Sequence, residues 1–490
     1  MSKTILCFSR SYLSDLLPHL MAGMPDVEPL HIVQNDAEQA KIEKTGQRVV
    51  LNLARLSREA VKDERVVQTD ALEPKDFRAL TGFDWSPLYA DRYLPEFPEP
   101  VRSRLTCALI DALESIFAQQ RIDGVLSEPV ALFPTHYMLY LCKRAGAVPL
   151  YWANTYFPGF FYFVSKVHLS NPDNLPPLPE AEMDALRNSI RSYIERVAMD
   201  KAGPVYHHQF AKTRRGLAGY LKQRSGHEAL VMSPNLSTRA IQAVRLARVT
   251  AHRLLFPRLG DYMTAGAVAE HTLYFRNLMA SRRGYDAPAQ QFSPRNVFFP
   301  LQYEPEASLL YAAPDFRNQI AVVESILQAL PAGHVLWVKE HPNQFGALMH
   351  RRWKALRKRY SNLRLVFGRE NGRHLIQRCG LAVSITSSAG LDALIYGRRC
   401  LVLGDVFYRN FPGAVALRSN KELARALNDP AQYCTEERGD FELGPLVEAL
   451  VEFGRGCHPG DPQPSADLYD PENLGQLQNA IRSALAGPAS

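Results

Sequence analysis

The sequence predicts an α/β protein with two doubly wound, Rossmann-type domains. Short apolar runs rich in β-branched and aromatic residues alternate with helical segments up to about residue 165, and the same alternation restarts at Asn296. Such strand–helix alternation is typical of parallel sheets. A length of 490 residues exceeds one ordinary core and suits two domains with an insertion.

The first Rossmann-like domain is predicted over residues 1–170. Its strands are predicted at Thr4–Phe8, Leu30–Val33, Val49–Leu53, Gly124–Ser127 and Val148–Trp152. Helices are predicted at Val101–Gln120, where apolar residues recur at helical spacing, and at Ala131–Ala145. Residues 170–181 are rich in proline, which indicates a linker or surface loop.

Residues 182–285 form a mainly helical, basic segment in this prediction. Its helices are Glu182–Met199, Gln209–Gln223, Ser237–Leu255 and Thr264–Ala280. Residues 212–283 hold thirteen basic and three acidic side chains, and this excess of ten is larger than the net charge of +7 of the whole chain. These helices are predicted to meet an anionic glycan or the inner-membrane surface. A solvated helix face is the plainer interpretation, and no motif indicates a nucleic-acid partner.

The second Rossmann-like domain is predicted over residues 295–458. Its strands are predicted at Val297–Leu301, Val335–Val338, Leu363–Phe367, Leu381–Ile385 and Cys400–Leu403, and its helices at Ile320–Ala329, Ala347–Arg359, Lys421–Leu427 and Leu443–Gly454. After a proline-rich linker, residues 471–490 are predicted to form a terminal helix that packs back on the N-terminal domain. Two doubly wound domains with a crossing helix form the GT-B plan of many nucleotide-sugar glycosyltransferases, although a fold alone does not give a function.

The composition excludes several classes of protein. It is 46% hydrophobic and 22% charged, as in soluble globular proteins, and no apolar stretch approaches the roughly 18 residues of a membrane span. We therefore expect a cytoplasmic protein, with peripheral attachment to the inner membrane as an option. The seven cysteines are scattered without a Cys-x-x-Cys pair, which indicates reduced thiols and no zinc site.

Two polar residues follow the strand predicted at Val335–Val338. Lys339 and His341 are two apart, so an extended chain places them on one face. An ammonium and an imidazole on that face suit a nucleotide phosphate, to which both give charge-assisted hydrogen bonds. The plainer interpretation is a strand that simply leaves the sheet.

A serine-rich turn follows the strand predicted at Leu381–Ile385. Ser387 and Ser388 precede a helix predicted to begin at about Ala389, where serine is an ordinary N-cap. The free N–H groups and hydroxyls of such a turn also suit a phosphate or carboxylate. Asp392, one turn into that helix, is a candidate to bind a ribose hydroxyl.

Two carboxylates flank a proline in the segment Gln302-Tyr-Glu304-Pro-Glu306, directly after another predicted strand. Acids this close repel each other, so one has a raised pKa or acts as a nucleophile or general base. The proline restrains the loop, which favours preorganised chemistry. The alternative is that Ser308 or Glu306 only caps the next helix.

Glu128 ends the strand predicted at Gly124–Ser127 in the first domain. In a two-domain enzyme this position is a candidate general base for an acceptor hydroxyl. Capping of the following helix is an equally good interpretation.

Together, these motifs resemble those of the capsule polysaccharide biosynthesis proteins, which include the β-Kdo transferases. The shared order is Phe-Pro-Leu-Gln-x-x-x-Glu-Ala-Ser, then Lys-x-His-Pro, then Ser-Ser-x-Gly-x-x-Ala, over roughly residues 295–405. The resemblance implies a GT-B glycosyltransferase of capsule or lipopolysaccharide synthesis. It would transfer a 2-keto sugar acid such as Kdo from a CMP-sugar to a glycan or lipid-linked glycan, without a metal or another cofactor.

The resemblance also implies a role for each motif. The donor would be bound by Gln302, Lys339, His341, Ser387, Ser388 and Asp392. Retaining members use a carboxylate at the position of Glu306, where their pattern has Asp, and Glu304 is the rival. Glu306 would attack the anomeric carbon as CMP leaves, and a base such as Glu128 would then activate the acceptor.

Three other functions remain open at this point. Polyol-phosphate transferases of the teichoic-acid type share the Lys-x-His-Pro element, with His207 and His208 as possible second catalytic histidines here. Nucleotide-sugar 2-epimerases share the fold and need no acceptor surface. A non-catalytic assembly protein would leave the carboxylates unused.

Overall fold

The structure is a computed structural model in which residues 2–62, 73–167, 178–200, 244, 284–342, 344, 346–368, 370–435, 443–463 and 469–486 are described. The described residues divide into two compact units. The first unit holds the chain up to Leu186 and again from Phe453, and the second holds the described residues from Arg187 to Glu452. The helices predicted within residues 209–280, with the basic side chains of residues 212–283, lie outside the described residues, as do His207 and His208.

The described part of the chain contains thirteen strands in two sheets, one in each unit. They are β1 (Lys3–Phe8), β2 (Val27–Val33), β3 (Arg48–Asn52), β4 (Gly124–Ser127), β5 (Val148–Asn154), β6 (Phe160–Val164), β7 (Ser293–Pro300), β8 (Val335–Lys339), β9 (Leu363–Val366), β10 (Cys379–Ser384), β11 (Arg399–Val402), β12 (Ala414–Ala416) and β13 (His458–Pro459). The first sheet has the order β13-β6-β5-β4-β1-β2-β3 and the second the order β12-β11-β10-β7-β8-β9. All pairs of the second sheet are parallel, whereas β6 pairs antiparallel with β5 and β13 in the first.

Sixteen helices are described. They are α1 (Leu13–Ala22), α2 (Asp36–Glu43), α3 (Leu53–Lys62), α4 (Phe77–Thr81), α5 (Pro87–Ala90), α6 (Glu99–Gln119), α7 (Phe133–Arg144), α8 (Glu180–Ala198), α9 (Ala307–Leu310), α10 (Gln319–Ala329), α11 (Arg351–Arg359), α12 (Gly372–Gln377), α13 (Ser388–Ile395), α14 (Asn420–Asn428), α15 (Leu443–Gly454) and α16 (Pro471–Ala486). Short 3₁₀ turns occur at Leu94–Glu96, Pro314–Phe316, Ala347–Met349 and Pro430–Gln432. No helix among the described residues is long and apolar enough to cross a membrane.

The sheets are covered by helices on both faces, which explains the nearly continuous apolar runs of their central strands. In β10 every residue from Cys379 to Ser384 is buried. In the first unit, Ile5 of β1 and Trp152 of β5 share one core with Leu477 and Ile481 of α16. The terminal helix therefore packs on the sheet that is formed mainly by the N-terminal residues.

This architecture confirms the predicted fold class, an α/β chain with two doubly wound units and a terminal helix that returns to the first. Strands were not predicted at β6, β12 and β13. The helix predicted at Ala347–Arg359 is a 3₁₀ turn followed by α11. The break lies at His350, whose extended backbone and side-chain hydrogen bond to the N–H of Arg352 start α11.

Candidate active site

Each sheet contains a point where the strand order reverses. In the second unit, β7 is followed in the chain by β8 and β9 on one side, whereas β10 pairs on its other side and leads to β11 and β12. Ligands of open α/β sheets bind outside the carboxyl ends of the strands at such a reversal. The crevice beyond the ends of β7 and β10, named here the second-unit crevice, is therefore the expected ligand site of this unit.

Gln302 joins the two strand ends of the second-unit crevice. It follows β7, is only 5% exposed, and its side chain reaches the segment after β10. In the orientation that satisfies both ends of the amide, the nitrogen donates to the Thr386 hydroxyl at 2.9 Å and the oxygen accepts from the N–H of Ser387 at 3.0 Å. This contact brings the carboxylate loop and the serine turn to one place.

The serine turn starts α13, close to the predicted helix start. The Ser387 hydroxyl caps α13 by accepting from the N–H of Ala389 at 3.2 Å, and both Ser387 and Ser388 are half-buried. Tyr408 donates its hydroxyl proton to the carbonyl of Ser387. A Cβ on Gly390 would lie 2.5 Å from the Tyr408 oxygen, so this close packing requires glycine.

Asp392 of α13 is buried against α12. It is 8% exposed and accepts from Arg373 Nε at 3.0 Å. Burial raises the pKa of Asp392, and the neighbouring guanidinium opposes that rise. Its observed partner is thus an arginine of α12, and its role toward a ribose stays a prediction.

The two carboxylates after β7 have different surroundings. Glu304 accepts a hydrogen bond from Gln319 Nε2 at 2.7 Å, and its own N–H donates to Gln344 Oε1 at 2.9 Å. Burial raises the pKa of Glu304, and the bond from Gln319 partly opposes the rise. Glu306 is the residue before α9, where its carbonyl, not its side chain, accepts the first helical hydrogen bonds. A raised pKa suits proton transfer, so this difference favours Glu304 for acid–base chemistry and leaves Glu306 as the candidate nucleophile.

Lys339 and His341 do not share an environment. The Lys339 ammonium is buried and donates to the carbonyls of Gly368, at 2.7 Å, and Glu340, at 3.2 Å. Burial lowers its pKa to about 8. The ring of His341 lies edge-on to Tyr303, with centroids 5.9 Å apart, beside the carboxylate loop.

Several residues of this site escaped sequence reasoning. Gln319 and Gln344 form hydrogen bonds with Glu304, although they lie 15 and 40 residues away from it in the sequence. No local pattern signals such contacts. Glu340 is 1% exposed and accepts from Tyr285. A signal existed for Glu340, because the alternation of β8, continued one residue past its end, places it on the same side as the buried Leu336 and Val338.

The reversal in the first unit lies between β1 and β4. Arg10 follows β1 and Glu128 follows β4, and Arg10 Nη2 lies 3.1 Å from Glu128 Oε2 in a salt bridge. Tyr12 is also hydrogen-bonded to Glu128. The sequence-based candidate Glu128 therefore lies at a ligand-binding position of its own sheet, named here the first-unit crevice, in a charged pair.

Among the described residues, no group of three or more His, Cys, Asp or Glu side chains is arranged to hold a metal ion. The polar groups that follow β7, β8 and β10 are two carboxylates, an imidazole, two serine hydroxyls and a helix start. These groups suit a ligand that combines an anion with hydroxyls, since helix N–H groups bind the anion and side chains bind the hydroxyls.

Comparison with known proteins agrees with the resemblance drawn from the motifs. Residues 197–429 match the family model described as capsule polysaccharide biosynthesis protein. This segment contains Gln302, Glu306, His341 and Ser387, so the match covers the second-unit crevice. It confirms the resemblance to that family. A comparison of the sequence with curated proteins gave no match.

Solved structures similar to the chain include two regions of KpsC from Thermosulfurimonas dismutans. Its β-Kdo 2,7 transferase is 14% identical with a TM-score of 0.25, and the match covers 43% of this chain and 63% of that chain. Its β-Kdo 2,4 transferase is 14% identical with a TM-score of 0.27, and the match covers 67% of this chain and 87% of that chain. A glycosyltransferase from Rickettsia africae ESF-5 is 8% identical with a TM-score of 0.30 and full coverage of both chains. The chain thus spans less than two thirds of the first of these structures.

Proposed function

We propose that the chain is a glycosyltransferase of capsule polysaccharide synthesis. It transfers a 2-keto sugar acid such as Kdo from a CMP-sugar to a glycan or lipid-linked glycan. The proposal is supported by the family match over residues 197–429. One observation carries it: the Gln302 amide binds both Thr386 and Ser387, which assembles the carboxylate loop and the serine turn in a single crevice.

The donor is held at the second-unit crevice. The N–H groups and hydroxyls at the start of α13 bind the phosphate or the sugar carboxylate, and His341 donates to the phosphate. Gln302 fixes the turn that presents these groups. Direct contacts of Lys339 and Asp392 with the donor stay predictions, since both side chains bind groups of the protein.

The proposed reaction is a double displacement. A carboxylate oxygen of Glu306 attacks the anomeric carbon, and the bond from that carbon to the CMP phosphate oxygen breaks as CMP leaves. The acceptor hydroxyl then attacks the same carbon, loses its proton to a base, and releases the Glu306 carboxylate. Retaining glycosidases follow the same two-step logic.

Two residues are candidates for the base. Glu304 lies two residues from the nucleophile, and burial raises its pKa, which makes its carboxylate a stronger proton acceptor. Glu128 must first leave its salt bridge with Arg10. CMP carries the leaving charge, so this scheme requires no metal, and chelation should leave turnover unchanged.

Thermal-shift measurements with CMP, CDP, UDP and GDP test the donor class. Stabilisation by CMP alone is expected, because only a bound ligand raises the melting temperature. A shift with CDP alone would indicate polyol-phosphate transfer. A shift with UDP alone would indicate an epimerase-type enzyme. The absence of a shift with any nucleotide would indicate an assembly protein.

Intact-mass measurement after mixing with CMP-Kdo tests the chemistry. A sugar adduct is expected on the wild-type protein and on Glu128→Gln, and none on Glu306→Gln. An adduct of normal yield on Glu306→Gln would refute the assigned nucleophile. Attachment of residues 212–283 to a membrane surface stays a prediction, which binding to anionic and neutral vesicles would check.

A further inference from the structure

Two adjacent residues at the end of β8, Lys339 and Glu340, bury an ammonium and a carboxylate. Glu340 is 1% and Lys339 7% exposed. Burying two charges is costly unless further hydrogen bonds satisfy both groups. The Glu340 carboxylate accepts from the Tyr285 hydroxyl, 2.9 and 3.0 Å from its two oxygens, and from the N–H groups of Leu348 at 3.2 Å and Gly368 at 3.3 Å.

Gly368 is held from both sides by this pair. Its N–H donates to the Glu340 carboxylate, and its carbonyl accepts from the Lys339 ammonium at 2.7 Å. Gly368 follows β9, whereas Leu348 lies beyond the turn that leaves β8. The pair therefore joins three separate pieces of backbone near the carboxyl ends of two neighbouring strands.

The residues next to this pair belong to the candidate active site. His341 directly follows Glu340, and its carbonyl accepts from the N–H of Gln344 at 3.0 Å. The Gln344 side chain accepts from the N–H of Glu304 at 2.9 Å and donates to the Glu304 carbonyl. A continuous set of hydrogen bonds and peptide links thus leads from Glu340 through His341 to the carboxylate loop.

We propose that Glu340 and Lys339 form a buried clamp that positions His341 and Gln344, and through Gln344 the Glu304 loop. Glu340 is a positioning residue in this assignment. Lys339 acts with it through Gly368, which is an alternative to the predicted contact with the donor phosphate. The use of CMP as a probe rests on the proposed function, but the clamp itself does not.

Chemistry favours positioning over stability alone as the role of this pair. Apolar side chains of the same shape can replace buried hydrogen-bonded groups with little loss of stability. A fully satisfied polar network instead permits only the arrangement in which every donor meets its acceptor. Such a network suits a place where a ring and a carboxylate must be held within a fraction of an ångström.

The variant Glu340→Gln tests the clamp. Glutamine keeps the size of the side chain but turns an NH₂ group toward one of the backbone N–H donors. The matched control is Glu370→Gln, which alters an exposed carboxylate near the same lysine. The first readout is the ring resonance of His341, assigned among the 14 labelled histidines by its loss in His341→Asn. The second readout is CMP affinity.

We expect Glu340→Gln to displace the His341 resonance and to weaken CMP binding at least about tenfold, while Glu370→Gln matches the wild type. A His341 resonance and a CMP affinity within twofold of wild type in Glu340→Gln would overturn the proposal. If wild-type protein does not bind CMP, the proposed donor is wrong, and the His341 resonance still decides whether the clamp exists.

Two further variants keep the test valid if Glu340→Gln fails to fold. Tyr285→Phe removes one hydrogen-bond donor to Glu340, and it should shift the His341 resonance in the same way but by a smaller amount. Lys339→Met should also shift the His341 resonance, and it should weaken the binding of cytidine and of CMP to the same extent. The opposite result is an unchanged His341 resonance together with loss of CMP binding but normal binding of cytidine. It would make Lys339 a direct phosphate ligand and overturn its part in the clamp.

Discussion

The two units reverse their strand order in the same way but place different chemistry at the reversal. In the first-unit crevice the strand ends carry Arg10 and Glu128, which form a salt bridge of 3.1 Å. In the second-unit crevice the corresponding contact is neutral, between the Gln302 amide and Thr386. Topology therefore gives the place where a ligand binds, and the side chains decide which ligand it is.

The difference has an electrostatic consequence. Arg10 and Glu128 largely neutralise each other, so their pair adds little net charge to the first-unit crevice. The neutral contact of Gln302 instead leaves the positive end of the α13 dipole to act on a ligand. We therefore expect the second-unit crevice to bind an anion better, and the following predictions test the contrast between the two crevices.

The largest expected effect is loss of transfer on removal of the nucleophile. Glu306→Gln should lower the rate of CMP release by at least about 10³-fold, because an amide cannot form the glycosyl intermediate. Glu304→Gln should lower it by about 10²-fold if Glu304 carries the proton. Steady-state release of CMP measures both, and Glu324→Gln, in a surface ion pair with Arg359, is the control. A larger loss for Glu304→Gln would exchange the two roles.

The next effect separates the crevices by nucleotide affinity. Gln302→Ala leaves the Thr386 hydroxyl and the Ser387 N–H without this partner, at a cost of about 1–3 kcal/mol. We expect CMP affinity to fall about tenfold or more. Glu128→Gln should leave it within about twofold, because Glu128 belongs to the other crevice. Calorimetric titration of both variants measures this difference, and equal losses would contradict the division of roles.

The sequence predicts the location of the site better than the roles of its residues. Gln302, His341 and Ser387 each follow an apolar strand, and the ends of parallel strands meet at one edge, so pattern alone brings these residues together. The pattern does not reveal the protein partner of Asp392, whose role toward a ribose stays a prediction. Every residue of α13 from Gly390 to Ile395 is buried, and Asp392 accepts a hydrogen bond from Arg373.

Contacts between distant segments explain the other differences. The Arg10–Glu128 pair exists because β1 and β4 are neighbours, and strand order cannot be read from local sequence. Lys339 was assigned to a phosphate because an extended chain places it on one face with His341, and an ammonium suits a phosphate. Its burial depends on Gly368 and Glu340, whose hydrogen bonds become visible only in the folded chain.

The buried pair behind the second-unit crevice predicts an unusual pH dependence of stability. Burial raises the pKa of Glu340 from 4.5 to about 7, so the native state binds more protons than the unfolded chain between these values. The contribution of Glu340 to the free energy of unfolding therefore falls as pH rises from about 4.5 to 7. Burial lowers the pKa of Lys339 from 10.5 to about 8, so its contribution has the opposite sign. Stability rises with pH between about 8 and 10.5 because of this residue.

Denaturant titrations at several pH values check this dependence. The difference in unfolding free energy between wild type and Glu340→Gln should decrease by about 1–3 kcal/mol from pH 5 to pH 7. Taking the difference cancels the other titrating groups, including Glu304. A difference that is constant with pH would mean that Glu340 stays ionised throughout.

The smallest effect concerns the charged pair of the first-unit crevice. The Arg10 and Glu128 side chains are 18% and 24% exposed, so solvent screens part of their attraction. A double-mutant cycle with Arg10→Gln and Glu128→Gln should give a coupling of about 1 kcal/mol or less, reduced further at high salt. The Gln302→Ala/Thr386→Val cycle, which probes a neutral contact, should keep its coupling at high salt. A salt-independent Arg10–Glu128 coupling would mean that the pair is effectively desolvated, and the electrostatic contrast between the crevices would then be smaller than proposed.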